Sequence, residues 1–285
     1  MSGEKGEHKQ DSQIVPAFLY GTAWKEEATE NLVITALKTG FTGIDTANQR
    51  KHYYEEGVGK AIQVFLAGSE KTRQDLFLQT KFTFADGQDH RKPYNEMDSY
   101  ELQVQQSFRS SLEHLQTDYI DSYILHGPLF SDSLSTGDWE VWHAMETLWR
   151  AKKIKFLGIS NVTLKQLEEF YTCSTVKPTF VQNRCFAVKQ WVKGIRAFCR
   201  EHGLIYQGFS LLTANYQYFS QPWLRSIAQK YQKNMAQLIF RFALQMKMLP
   251  LTGTADQQHM REDLAIGDFT LSVDELEQIE NVALL

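Results

Sequence analysis

An aspartate at position 45, neighbouring tyrosines at 53 and 54, a lysine at 81 and a histidine at 126 each close, or closely follow, a short apolar run. Those four residue types can share one proton. A phenol has a pKa of about 10 and is a poor acid at neutral pH. A nearby ammonium stabilises phenolate and lowers that value, and a carboxylate beside the ammonium holds it in place and charged. A histidine donates to, or orients, the oxygen of a carbonyl compound. Together they make a tuned proton donor. Protonating a carbonyl oxygen is half of a carbonyl reduction. The other half is a hydride, which no side chain supplies, so the set implies a nicotinamide cofactor.

These residues can meet only if the fold brings several strand ends together. "AFLYGT" (17–22), "TGID" (42–45), "LFLQTK" (76–81), "YIDSYILH" (119–126), "IKFLGIS" (154–160), "TFVQ" (179–182), "LIYQGFS" (204–210) and "KMLPLTG" (247–253) read as strands. Helical patterns separate them, at 26–39, from Glu55 to about Phe65, along Val104, Phe108, Leu112 and Leu115, and at 138–151, 163–171, 188–202 and 223–245, the last as two helices. Two more follow, near 256–266 and 273–283. Eight strand–helix units imply a parallel sheet closed as an α/β (β/α)8 TIM barrel, a single domain. The open doubly wound alternative lacks its G-x-G-x-x-G fingerprint after the first strand.

The active site of such a barrel lies at the C-terminal strand ends. Those ends carry Asp45, Lys81, His126, Ser160 with Asn161, Gln182, then Tyr206, Gln207, Phe209 and Ser210, and finally Thr252, Gly253 and Thr254. Any one of these polar residues taken singly reads as meeting solvent. A barrel mouth converges, however, and Asp, Lys and His buried together are stable only when paired.

The 285 residues are 42% hydrophobic and 22% charged, as in a soluble globule, and the net charge of −4 argues against a nucleic-acid or anionic-membrane surface. No apolar run reaches the roughly 20 residues that cross a bilayer. Residues 1–12, MSGEKGEHKQDS, lack an apolar h-region and read as a disordered polar tail, with residues 13–285 forming the barrel. Cys173, Cys185 and Cys199 are odd in number and form no CxxC, which points to reduced thiols and a cytoplasmic location, with no metal site.

From about Ile14 onward the chain resembles an aldo-keto reductase. The resemblance rests on "FLYGTAWK", "GIDTANQRKHYYEEGVG", "LQTKF", "YIDSYILHGP", "LGISNV", "KPTFVQ" and "IYQGFSLL", in that order. It implies an NADPH-dependent oxidoreductase, with NADH as a possible substitute, acting on a small carbonyl substrate as a monomer. By the same resemblance Tyr53 would be the general acid, Lys81 and Asp45 its tuning pair, and His126 the orienting residue. Ser160, Asn161 and Gln182 would bind the nicotinamide carboxamide, and Phe209 would stack on the ring. Gly21 and Thr22 would line the cofactor's path, and Ser210 and Leu212 would border the pyrophosphate. Thr252, Gly253, Thr254 and His259 would face the adenosine phosphate end.

The departures from the family pattern bear on function. The usual spacing back from Gly59 lands on His52, and Tyr53 is chosen over Tyr54 because relatives with a "KHY" run place the acid there. Leu251 and His259 stand where NADPH-preferring relatives carry lysine and arginine, which implies weak discrimination against NADH, with Arg261 as a nearby substitute cation. Gly127 replaces a common tryptophan, and the chain stops at Leu285 where many relatives carry a longer tail, so a wider cleft is expected. Residues 83–99 form a candidate lid. Tyr216, Tyr218 and Phe219 would line the cleft or pack its rim. Two other readings compete: a cofactor-binding regulatory subunit with little turnover, and a metal-dependent hydrolase, which the absence of HxH and HExxH disfavours.

Overall fold

Period-two alternation inside the short runs sends one set of side chains into a barrel and the other toward a ring of helices. The computed structural model describes residues 15–284, so the expectation for residues 1–12 lies outside the described residues. The strands are β1 (Leu19–Gly21), β2 (Gly43–Asp45), β3 (Phe77–Phe82), β4 (Ile120–Leu125), β5 (Ile154–Ser160), β6 (Phe180–Arg184), β7 (Ile205–Phe209) and β8 (Met248–Thr252). Each pairs in parallel with the next, and β8 pairs with β1, which closes the barrel.

The interior is stratified. Leu19, Phe77, Ile124, Phe180, Leu249 and Leu251 form an apolar inner cluster. Two residues further along their strands, polar groups replace it: Gln79 then Lys81 on β3, Gln182 on β6, and Gln207 on β7. Gly158 keeps this interior dense, since a Cβ there would lie 2.2 Å from Ile124 Cδ1. The outer faces of the strands pack with Val33, Ile62, Trp142, Phe170 and Phe240 in the main core against the helices.

Helix starts follow side-chain caps. Ser135, Thr163, Asn234 and Ser272 each open a helix with a reciprocal capping box. Helix α1 (Thr29–Thr39) follows β1, and α2 (Glu55–Ala67) follows β2. Glu55, 3% exposed, docks α2 on the outside of β3: its carboxylate accepts from Thr80 Oγ1 at 2.5 Å and from Ser111 Oγ at 3.1 Å. This anchor fixes the turn that carries both tyrosines.

Residues 188–202 are not one helix. A 3-10 segment, Ala187–Val192, contains left-handed Gln190, Trp191 and Val192, and the α-helix starts only at Lys193. Trp191 is wholly buried and its indole N–H donates to the Ile279 carbonyl at 2.9 Å. Burying that ring outweighs continuing the helix.

Candidate active site

Asp45 ends β2 and Lys81 lies on β3, so their side chains meet inside the barrel. Lys81 Nζ lies 2.7 Å from Asp45 Oδ1 and donates also to the Thr46 carbonyl at 2.7 Å. Lys81 is 0% exposed. Burial lowers its pKa, and the Asp45 carboxylate opposes that shift. Sequence reasoning identified this pair. It missed that Oδ1 also accepts from Gln79 Nε2 at 2.6 Å and Gln182 Nε2 at 3.1 Å.

The turn after β2 separates the tyrosines. Tyr53 N–H donates to the Gln49 carbonyl at 3.0 Å, and its ring reaches the barrel mouth, edge-on to His126 with centroids 5.9 Å apart. Tyr54 precedes α2 and turns outward, under the Arg50 guanidinium at 4.3 Å. The acidification expected of Tyr53 is corrected here. Lys81 Nζ sits 5.1 Å from the ring centroid, with no hydrogen bond to the hydroxyl. Burial, then the negative Asp45, raises the phenol's pKa. Burial and the carboxylate act in the same direction, and Tyr53 holds its proton throughout the neutral range.

His126 follows β4. Its Nδ1 lies 2.7 Å from Thr83 Oγ1, and its carbonyl accepts from Asn161 Nδ2 at 2.7 Å. Burial, then the positive Lys81, pulls its pKa well below the usual imidazole range, so the ring is neutral. Nε2 is left without a hydrogen bond among the described residues.

A cavity of about 730 Å³ runs from these groups toward the helix Gln257–Leu264. Gly21, Asp45, Tyr53, His126, Ser160, Asn161, Gln182, Phe209, Ser210, Leu212, Thr252, Gly253, Thr254 and His259 all line it. Asn161 and Ser210 both adopt left-handed backbone there, at φ of 55°. Lys81 lies behind the wall, under Asp45 and Tyr53. Thr22 is a correction: strand alternation turns it away from the cavity, and its hydroxyl donates to the Asp45 carbonyl at 3.0 Å. Arg261 also stays off the wall and bonds Gln258. Residues the sequence reading did not single out complete the wall, among them Trp24, Arg184, Asn234, Glu262 and Asp263. Lys25 stands beside it, donating to the Gly253 carbonyl at 2.6 Å, with burial lowering its pKa to about 8. Burial pushes the Asp263 carboxyl up to about 6.

The Aldo/keto reductase family profile matches residues 18–283. The chain is a member of the aldo/keto reductase family. Glyoxal reductase of Bacillus subtilis is 32% identical over 254 residues, covering 89% of this chain and 83% of its own length. The NADPH-dependent alpha-keto amide reductase of Saccharomyces cerevisiae is 28% identical over 93% of this chain and 85% of its own length. Among solved structures, an aldo/keto reductase from Brucella melitensis superposes with a TM-score of 0.77 at 31% identity, covering 94% of this chain and 95% of that one.

In this family member a second cleft, about 350 Å³, opens on the other side of Tyr53 and His126. Trp24, His52, Phe84, Gly127 and Leu129 are among its walls, and Trp24 lies over His52 with centroids 3.9 Å apart. A Cβ at Gly127 would meet only ordinary neighbours, the nearest at 3.5 Å. The 83–99 loop supplies Thr83, Phe84, Asp86 and Gly87 to the cleft. It is tied down by bonds from Tyr94 Oη to the Thr83 carbonyl and from Gln49 Nε2 to the Gly87 carbonyl. It is thus a wall in this structure. Tyr218 and Phe219 pack against the core at the rim, and Tyr216 is exposed; none of the three lines either cavity.

Proposed function

We propose that this aldo/keto reductase reduces aldehyde or ketone carbonyls to alcohols with NADPH, using Tyr53 as the proton donor. The supporting observation is the junction itself. Tyr53 and His126 line both the long cavity and the second cleft, so a group in each would meet at the phenol. The long cavity fits a dinucleotide. One end offers Phe209 as a flat face beside the polar Ser160, Asn161 and Gln182. Both N–H bonds of Gln182 are used within the barrel, on Asp45 and Gln207, which leaves its carbonyl oxygen to accept from a carboxamide.

A nicotinamide held beside Phe209, Ser160, Asn161 and Gln182 would supply the hydride that a carbonyl carbon needs. Tyr53 gives its proton to the carbonyl oxygen, His126 orients that oxygen through Nε2, and Lys81 steadies the negative charge left on Tyr53. Because Tyr53 and His126 are both neutral near pH 7, the kcat for reduction should be flat between about pH 6 and 8. Alcohol oxidation needs the phenolate, so its rate should rise with a slope of about one log unit per pH unit over the same range. Steady-state profiles in both directions check this; a reduction rate that falls steeply across that window would contradict it.

Cofactor selectivity follows from charge at the far end. Leu251 and His259 line it in place of permanent cations, and the carboxylates Glu262 and Asp263 lie beside them. NADPH should therefore be preferred over NADH only modestly. Asp263→Asn removes a negative charge that is present above about pH 6. It should raise the NADPH/NADH ratio of kcat/KM about fivefold, the effect of ~1 kcal/mol. A ratio left unchanged would show that the 2′-phosphate does not approach Asp263.

A further inference from the structure

Three glutamines occupy one level of the barrel interior, beneath the reacting groups. Gln79 and Gln207 are 0% exposed and Gln182 is 3% exposed. Gln79 and Gln207 bond each other across the barrel through two hydrogen bonds, each 2.8 Å, joining β3 to β7. Gln182 Nε2 donates to Gln207 Oε1 at 2.9 Å. The remaining N–H bonds of Gln79 and Gln182 converge with Lys81 on one atom, Asp45 Oδ1.

Such amides are not what a barrel floor requires. Two residues earlier on the same strands stand Phe77, Phe180 and Ile205, and branched or aromatic residues fill barrel interiors generally. Buried amides are costly unless every group is bonded, and here they bond one another and the carboxylate. A carboxylate can only accept, so Asp45 sets the orientation of Gln79 and Gln182, and Gln207 locks Gln79 from the opposite wall. Oδ1 is held by three donors, while Oδ2 has no partner among the described residues.

We propose that Gln79, braced by Gln207, is a positioning residue that fixes Asp45 and through it the Lys81 ammonium beneath Tyr53. This rests on the reading of Tyr53 as the acid. The charged or titratable groups facing the cluster are Lys81 on β3, Tyr53 after β2, His126 after β4, and Glu55 behind β3.

The test uses two variants of the full chain. Gln79→Leu/Gln207→Leu replaces both partners of the cross-barrel pair with apolar groups, and the one amide left short is Gln182, whose Nε2 loses its Gln207 acceptor. The double variant should stay folded with Tm lowered by only a few degrees and still bind NADPH, read by fluorescence. The kcat for reduction should fall about tenfold with little change in aldehyde KM, and the oxidation profile should move to higher pH. Gln79→Glu keeps the shape but sets a second carboxyl against Oδ1, so the pair shares a proton. It should add a titration step to the otherwise flat reduction profile. A folded double variant with wild-type kcat and pH profile overturns the proposal. If the double variant does not fold, a flat profile at wild-type rate in Gln79→Glu overturns it equally. Wild-type protein that binds NADPH yet reduces no aldehyde would overturn the Tyr53 reading as well; active wild type with unaltered variants removes this inference alone.

Discussion

Tyr53→Phe is expected to lower the turnover of carbonyl reduction by about 10²- to 10⁴-fold while NADPH binds as before. The substitution removes one oxygen from the junction of the two cavities and leaves the ring packed edge-on to His126. Without that oxygen no side chain at the junction can release a proton to the carbonyl: the N–H of neutral His126 is far too weak an acid, and Lys81 lies behind the wall. Tyr54→Phe is the matched control. Its ring stacks under Arg50 outside both cavities, so activity should stay within a factor of about two. Loss of activity in Tyr54→Phe with Tyr53→Phe still active would reverse the assignment.

Breaking the buried ion pair should affect stability and rate together. Removing one partner of such a pair costs about 3–5 kcal/mol, because the other charge stays buried. The two substitutions should not be equal. Lys81→Met leaves Asp45 Oδ1 with donors from Gln79 and Gln182, whereas Asp45→Asn leaves a 0%-exposed ammonium whose direct acceptors, the Thr46 carbonyl among them, are neutral. Asp45→Asn should therefore lower Tm further, by roughly 5–15 °C against the wild type. Both should reduce kcat at least 100-fold, on the order of 3 kcal/mol of barrier. Thermal melts and single-turnover rates on the same preparations check this. Equal, small Tm losses would show that water reaches the pair.

Much of this was legible because strands alternate and barrels converge. A polar residue that ends an apolar run, as at Asp45, His126 or Ser160, carries its own signal, and eight such ends in one chain have one common destination. The same alternation held information that the end-of-strand reading passed over. Gln79 sits two residues before Lys81 in "LQTK", on the same face, and Gln207 two before Phe209. Gly21 faces the cavity, whereas the adjacent Thr22, just past β1, turns its hydroxyl to the Asp45 carbonyl.

Other features depend on distances no pattern encodes. How deeply a phenol is buried and how near it lies to a carboxylate is a matter of a few ångströms, and burial with the Asp45 charge reverses the shift expected for Tyr53. Trp191 breaks a helical pattern because a distant carbonyl, at Ile279, completes its burial. Asp263 and Arg184 reach the cavity wall from segments whose sequence reads as a helix near 256–266 and as the stretch that follows the strand at 179–182.

The measurement that bears most directly on the central reading is consumption of NADPH and NADH by the wild type with a panel of aromatic aldehydes, with cofactor binding followed in parallel by fluorescence. Aldehyde-dependent oxidation of both cofactors, faster with NADPH, and alcohol formed in equal amount, is the predicted result. Tight cofactor binding with no turnover of any aldehyde would contradict it and assign the chain a cofactor-sensing, non-catalytic role.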